Sequence, residues 1–269
     1  MKFVTVMKCC VIVLLFVTTL CYGQKWEAEI NAGLTGYKGD LTENPFAIKT
    51  MRPGLGLNLK YNFDNTILLR GGILWGNLTG DDKYNKRSDL RGRNLSFTTQ
   101  IVEFSLVAEY NLLEPDIFYA YPYIFGGIGL FKFNSYSYDD NHQKTYLHPL
   151  NTEGQGLTQY PDRKPYSTTQ FCIPFGIGWK WRIHKQLEFV YEMGYRMIFT
   201  DYLDDVSKPY VDPQVLLAER GPKSVEMAFR AQFPIGKGDI RGNSDVNDWY
   251  YFHTVKLVIY LVKERKNGF

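Results

Sequence analysis

The sequence predicts an all-β chain: a single up-and-down transmembrane β-barrel of 8 antiparallel strands, with short periplasmic turns and long extracellular loops. Three observations carry that expectation. Eight segments alternate apolar and polar residues at the period of a strand, whose successive side chains point to opposite faces. The connections between those segments alternate between short and long. Aromatic residues are abundant, with 20 Tyr and 18 Phe, whereas no apolar run beyond the first segment approaches the ~20 residues that a spanning helix needs.

The start of the chain reads as a secretory signal over residues 1–23. Lys2 and Lys8 supply its positive end, "VIVLLFVTTL" (Val11 to Leu20) its apolar core, and "CYGQ" a cleavage site after Gly23 with a mature start at Gln24. Bulky Leu20 argues against lipid attachment at Cys21, where a small residue would precede the cysteine. Cys9, Cys10 and Cys21 leave with the signal, so Cys172 remains alone and no internal disulfide forms. Loss of Lys2 and Lys8 brings the formal charge of +3 close to neutral, which leaves no electrostatic case for nucleic acid.

The strands follow in order. "WEAEINAGL" sets Trp26, Ala28, Ile30, Ala32 and Leu34 against Glu27, Glu29 and Asn31. "GLGLNLKYN" sets Leu55, Leu57, Leu59 and Tyr61 against Gly54, Gly56, Asn58 and Lys60. "TILLRGGILW" sets Ile67, Leu69, Ile73 and Trp75 against Arg70 and Gly72, and "TQIVEFSLVAEY" sets Val102, Phe104, Leu106, Ala108 and Tyr110 against Glu103, Ser105 and Glu109. "YAYPYIFGGIGLFKF" alternates less cleanly, with Tyr121, Tyr123, Phe125, Phe131 and Phe133 on one side. "FCIPFGIGWKWR" alternates throughout, "LEFVYEMGYRM" opposes its apolar row to Glu188, Glu192 and Arg196, and "YYFHTVKLVIYLV" opposes Val255, Leu257, Ile259 and Leu261 to Thr254, Lys256 and Tyr260. Connections near 62–65, 113–118 and 183–186 are short; those over 35–51, 76–96, 134–168 and 200–248 are long and rich in Gly, Asp, Asn and Pro. In an up-and-down barrel this places every long loop at one end, as outer-membrane barrels do. One domain is expected over 24–262, with a periplasmic tail over 263–269. Within 200–248, "PQVLLAERG" reads as helical, and "KSVEMAFRAQF" (Lys223 to Phe233) alternates as a strand that would extend the barrel outward as a hairpin.

Volume decides which face points inward. The interior of an eight-stranded barrel is just wide enough for side chains to fill. A lumen holding Phe171, Ile173, Phe175, Ile177, Trp179 and Trp181, with matching bulk from seven neighbours, is overfilled. Turned over, the same strand offers Cys172, Pro174, Gly176, Gly178, Lys180 and Arg182 to the inside, and hydrocarbon takes the aromatics. Inward charges then need partners, because an unpaired buried charge is costly. The expected lumen network consists of Arg70, Lys180, Arg182, Arg196 and Lys256 with Glu103, Glu109, Glu188 and Glu192. Structural filling is favoured over a proton or ion path, since barrels this narrow carry no aqueous channel. Trp26, Trp75, Trp179, Trp181 and Trp249 read as interfacial girdle residues.

No nucleotide-binding loop, nucleophile elbow, paired-cysteine metal motif or zinc-protease helix occurs, and His142, His148, His184 and His253 are scattered. No catalytic residue, cofactor or resident metal is therefore expected. Three acidic loop entries stand out: Asp40 in "KGDL", Asp81 and Asp82 in "TGDD", and Asp201, Asp204 and Asp205 in "TDYLDD". All would emerge at the outward end. They read as turn chemistry, in which Asp side chains hold their own backbone, with a weak cation site as the alternative.

Six segments, "GYKGDL", "RPGLGLNLKYN", "GDD" followed by "RGRNLSF", "YPYIFGGIGLF", "TDYLDDVSKPY" and "RGNSDVNDWYYF", cover most of the mature chain in order. Together they resemble a family of Bacteroidota outer-membrane barrels that includes the PorG-type component of the type IX secretion system; "TDYLDDVS" is the most specific piece. The resemblance implies an outer-membrane protein without enzymatic activity. Its partners would be outer-membrane lipid and secretion-system or other envelope proteins, including a periplasmic ring, for which "KERKNGF" (Lys263 to Phe269) offers a handle. A small-molecule uptake or ligand-binding barrel is the alternative.

Overall fold

Strong alternation over long stretches becomes strands long enough to cross a bilayer. The structure is a computed structural model and describes residues 26–44 and 46–261. The expected signal segment and the tail over 263–269 lie outside the described residues. The barrel strands are β1 (Trp26–Lys38), β2 (Arg52–Asn62), β3 (Ile67–Asp81), β4 (Ser96–Asn111), β5 (Ala120–Lys132), β8 (Thr169–His184), β9 (Leu187–Ile198) and β10 (Trp249–Tyr260). Each pairs antiparallel with its neighbour. The ring closes where β1 meets β10, from Glu27↔Tyr260 to Lys38↔Trp249, and where β3 meets β4. Closure leaves none of these strands with an open edge.

The turns over 63–66, 112–119 and 185–186 lie at one rim, and the connections over 39–51, 82–95, 133–168 and 199–248 at the other. A hairpin of β6 (Tyr136–Tyr138) and β7 (Lys144–Tyr146) joins the sheet through Thr98↔Tyr136. Three short helices complete the outward end: α1 (Ser88–Arg93), α2 (Pro213–Arg220) and α3 (Pro222–Ala228). α2 starts where Pro213 fixes the first helical φ and the Asp212 carboxylate accepts from the Gln214 amide at 2.9 Å.

The alternating "KSVEMAFRAQF" does not form the expected strand. Its first part is α3, which packs Met227 and Ala228 inward and follows α2 after Gly221 at φ 84°. Seven residues at strand period also satisfy one helical face, and here packing against Leu157, Val211 and Leu216 decides. The hairpin that does extend the sheet outward lies in the third loop.

Burial is inverted relative to a water-soluble barrel. Ile30, Leu57, Ile73, Phe104, Ile128, Phe171 and Ile177 are exposed, Phe171 at 67%, whereas Glu29, Lys60, Glu103, Glu109 and Lys180 are almost fully enclosed. A continuous apolar exterior around a charged interior is stable only where hydrocarbon replaces water. Aromatic belts mark both rims: Trp26, Tyr61 and Phe63 stack edge to face near the turns, and Phe175, Tyr195, Trp249 and Tyr251 cluster near the loops.

β5 departs from the rule that bulk faces lipid. Tyr121, Tyr123, Phe125 and Phe131 point inward, and Ile124, Ile128 and Leu130 outward. The room comes from its neighbours: Tyr123 pairs in register with Gly178, where an added Cβ would stand 2.3 Å from the Tyr123 ring, and Phe125 lies over Gly176 and Gly194. One strand supplies the bulk that the facing glycines leave out.

Candidate functional site: a sealed lumen under an acidic cap

Strands that alternate in and out deliver charges to the barrel axis from every side. The inward row of β4 brings Glu103 and Glu109, β9 brings Glu188, Glu192 and Arg196, β3 brings Arg70, β8 brings Lys180 and Arg182, and β10 brings Lys256. The structure gathers all nine into ion pairs. Glu109 receives Arg70 and Lys180, each at 2.8 Å. Glu192 receives Arg70 at 2.6 Å, Lys256 at 2.7 Å and the Tyr123 hydroxyl at 2.5 Å. Arg196 donates to Glu103 at 3.0 Å, and Glu103 also accepts from Tyr250 at 2.9 Å. Arg182 is the loosest member, half-buried and 3.7 Å from Glu188, which accepts from Tyr121.

Two members lie outside the expected set. Glu29 of β1 and Lys60 of β2 pair at 2.5 Å; Lys60 also reaches Glu109 at 3.3 Å, and Lys256 reaches Glu29 at 3.0 Å. Both stand on polar rows beside Asn31 and Asn58, so the alternation carries their signal. Aromatic rings cover the cations that the carboxylates leave open, with Arg70 over Phe125 at 4.9 Å and Lys180 over Tyr123 at 4.4 Å. The space left beside Arg70, Glu192, Arg196 and Lys256 is about 10 Å³, roughly the room of one water. The lumen is a plug.

Above it the outward loops fold over a second apolar cluster that includes Tyr37, Leu41, Leu95, Phe97, Leu147, Leu203 and Val206. The six loop aspartates are spread through this cap in different roles. Asp81 accepts from the Lys83 amide at 3.0 Å and lies at the rim. Asp82 is buried and holds Arg93 at 2.7 Å together with the Leu95 amide at 3.0 Å. Asp40 accepts from the Asn243 amide at 2.8 Å. Asp205, at φ 65°, accepts from Thr152 at 2.5 Å and Tyr166 at 2.7 Å. Beside it Arg241 bonds Glu153 at 2.6 Å and the Asp205 carbonyl at 2.7 Å. Asp204 accepts from the Val206 amide at 2.8 Å and from the Tyr37 hydroxyl. Of these contacts, Asp81 with Lys83 and Asp204 with Val206 are local turn chemistry, and the others reach partners distant in the chain. Among the described residues no group of three or more His, Cys, Asp or Glu is arranged to hold a metal ion.

Burial shifts the cap acids. Asp201 is pushed up to about 8, its Oδ2 buried without a hydrogen-bond partner. Asp204 and Asp248 are both held well above the usual carboxylate range, by burial first and by neighbouring acids second. Glu153 and Asp205 are also raised by burial, with Arg241 opposing the shift.

The profile of a family described as "Domain of unknown function (DUF6089)" matches residues 6–216. The chain belongs to this family. No curated protein matches the DUF6089 chain by sequence. Among solved structures it is similar to neisserial surface protein A at 8% identity and TM-score 0.44, covering 88% of this chain and 97% of that one. A major outer membrane protein of Thermus thermophilus gives 14% identity and TM-score 0.42, covering 88% and 99%. Outer Membrane Protein W of E. coli gives 10% identity and TM-score 0.34, covering 87% and 97%. The DUF6089 barrel is established by its own strand closure and inverted burial: it is an eight-stranded transmembrane barrel of the outer-membrane type.

Proposed function

We propose that this protein is a non-enzymatic structural or adaptor barrel of the bacterial outer membrane that serves type IX protein secretion and binds other envelope proteins. The tightly filled lumen supports the non-transport half of this reading: about 10 Å³ is left beside Arg70, Glu192, Arg196 and Lys256, too little for a solute at that level of the barrel. What remains for function is surface, at the two rims. The secretion half rests on the likeness of "TDYLDDVSKPY" and its companion segments to PorG-type barrels.

The rim opposite the cap offers a contact surface of the right kind. The turn between β4 and β5 exposes Leu112, Leu113, Ile117, Phe118 and Tyr119, with Tyr119 at 82%. An apolar cluster beyond the strand ends fits a protein partner on the periplasmic side. The test is capture from detergent-solubilised envelopes by the wild-type chain and by a chain carrying Ile117→Ser, Phe118→Ser and Tyr119→Ser. Recovery of secretion-ring subunits by the first and their loss from the second supports the proposal. Their repeated absence with a correctly folded wild-type barrel overturns it. The uptake alternative makes a different forecast, namely conductance in planar bilayers.

A further inference from the structure

Tyr37 of β1 ends in a hydroxyl that lies between two buried carboxylates. It bonds Asp204 Oδ2, and Asp248 Oδ1 lies 3.2 Å away. Each carboxylate spends its other oxygen on a backbone amide: Asp204 Oδ1 on Val206 at 2.8 Å and Asp248 Oδ2 on Leu203 at 2.9 Å. All three side chains are enclosed, at 0%, 1% and 0% exposure. A phenol carries one proton. It can donate to one carboxylate and presents only a lone pair to the other. Two lone pairs facing each other in an enclosed, closely packed site repel, so the second contact closes only if the carboxyl itself brings a proton.

We infer that Asp204, Tyr37 and Asp248 form a binding site for one shared proton, and that this proton clamps the two ends of the fourth outward loop onto β1.

The surroundings favour the same occupant. From the first loop the trio faces Asp40, and from the fourth loop Asp201, so the nearest ionisable neighbours include two more acids. The cations within range are committed elsewhere: Arg93, from α1, to Asp82, and Arg241 to Glu153. No ion pair to Asp204 or Asp248 occurs among the described residues. Burial and these like charges push both carboxyls well above their ordinary range. Gly39 shows how tightly the site is closed. A Cβ there would stand 1.9 Å from Asp248 Oδ1 and 2.0 Å from the Tyr37 hydroxyl, so "GYKGDL" needs glycine at that position.

Because the extra proton sits in the folded cap and leaves when the loop opens, the clamp is intact at low pH and weakens as pH rises through the carboxyl's folded value. The inference is independent of the secretion reading, since it concerns the cap and not the partner.

The test uses the full chain in detergent micelles. Infrared difference spectra report the protonated carboxyl, recorded in an Asp201→Asn background because Asp201 holds its own proton near neutrality. At about pH 7 the protonated-acid band is expected with Asp204 and Asp248 in place, and it disappears in Asp204→Asn or in Asp248→Asn. Amide exchange at Leu203 and Val206, corrected for intrinsic rates, is expected to accelerate about tenfold from about pH 6 to about pH 9. Asn at the proton-bearing position donates permanently to the Tyr37 oxygen and flattens that rise. Asp81→Asn, at the rim, leaves it unchanged. Absence of the band near neutrality, persistence of it in both Asn variants, or exchange that does not vary with pH overturns the inference. So does saturable calcium binding that restores protection at the alkaline end, which would mark a cation site in place of a proton site. Should an Asn variant fail to fold, the exchange profile of the chain with both acids still decides.

Discussion

Gly178 illustrates how single residues decide the interior. It lies opposite Tyr123, and any side chain there would enter the ring. Gly178→Val is expected to overpack the lumen and destabilise the barrel by about 1–3 kcal/mol, read as a lower midpoint in urea for the chain refolded in lipid. Glu192 has a different vulnerability, since it neutralises Arg70 and Lys256 and accepts from Tyr123. Glu192→Leu leaves two buried cations short of a partner, and a loss of about 3–5 kcal/mol is expected in the same titration. The lumen charges are legible in the sequence because strand alternation assigns each a face, and Glu29 and Lys60 carry the same signal. Their pairing depends on strand register across the barrel, which face assignment alone does not supply.

At the scale of elements, what can be read depends on length. The eight barrel strands run 11 to 16 residues, so their period dominates any accident of composition. The seven residues of α3 do not have that advantage, and packing against the third loop overrides their strand-like pattern. β5 is ambiguous for a related reason: its inward aromatics make sense only beside Gly176, Gly178 and Gly194, which belong to other strands. α2 depends on its first turn. Asp212→Ala removes the carboxylate that receives the Gln214 amide, and a local loss of about 1 kcal/mol is expected. Amide exchange should accelerate in 213–220 while β1 and β10 stay protected.

The whole molecule joins two structures of opposite character, a plugged cylinder in hydrocarbon and a polar cap in water. The plug predicts silence in planar bilayers: no stepwise conductance above that of lipid alone, with an open-channel signal as the contrary result. The cap predicts pH dependence of a definite sign. Asp201, raised to about 8 by burial, keeps a proton in the folded cap that the unfolded loop releases near pH ~3.9. The folded cap thus binds more protons between those values, and its stability falls as pH climbs from about 4 to about 8. Proteolysis within 199–248 should be slower at about pH 5 than at about pH 8, and Asp201→Asn should diminish the difference. The distribution of roles among the six loop aspartates lies beyond sequence, because it depends on which residues from other loops arrive beside each one.

Lys256 sits on the last barrel strand and completes pairs with Glu29 on the first and Glu192 on its neighbour. A chain cut short before β10 therefore takes one cation from Glu29 and from Glu192, which keep Lys60 and Arg70, and leaves β1 with an open flank. The last strand thus has two duties at once, since β10 both shuts the ring against β1 and β9 and adds a cation to the axial ion pairs, so an incomplete product is marked by edges it cannot hide.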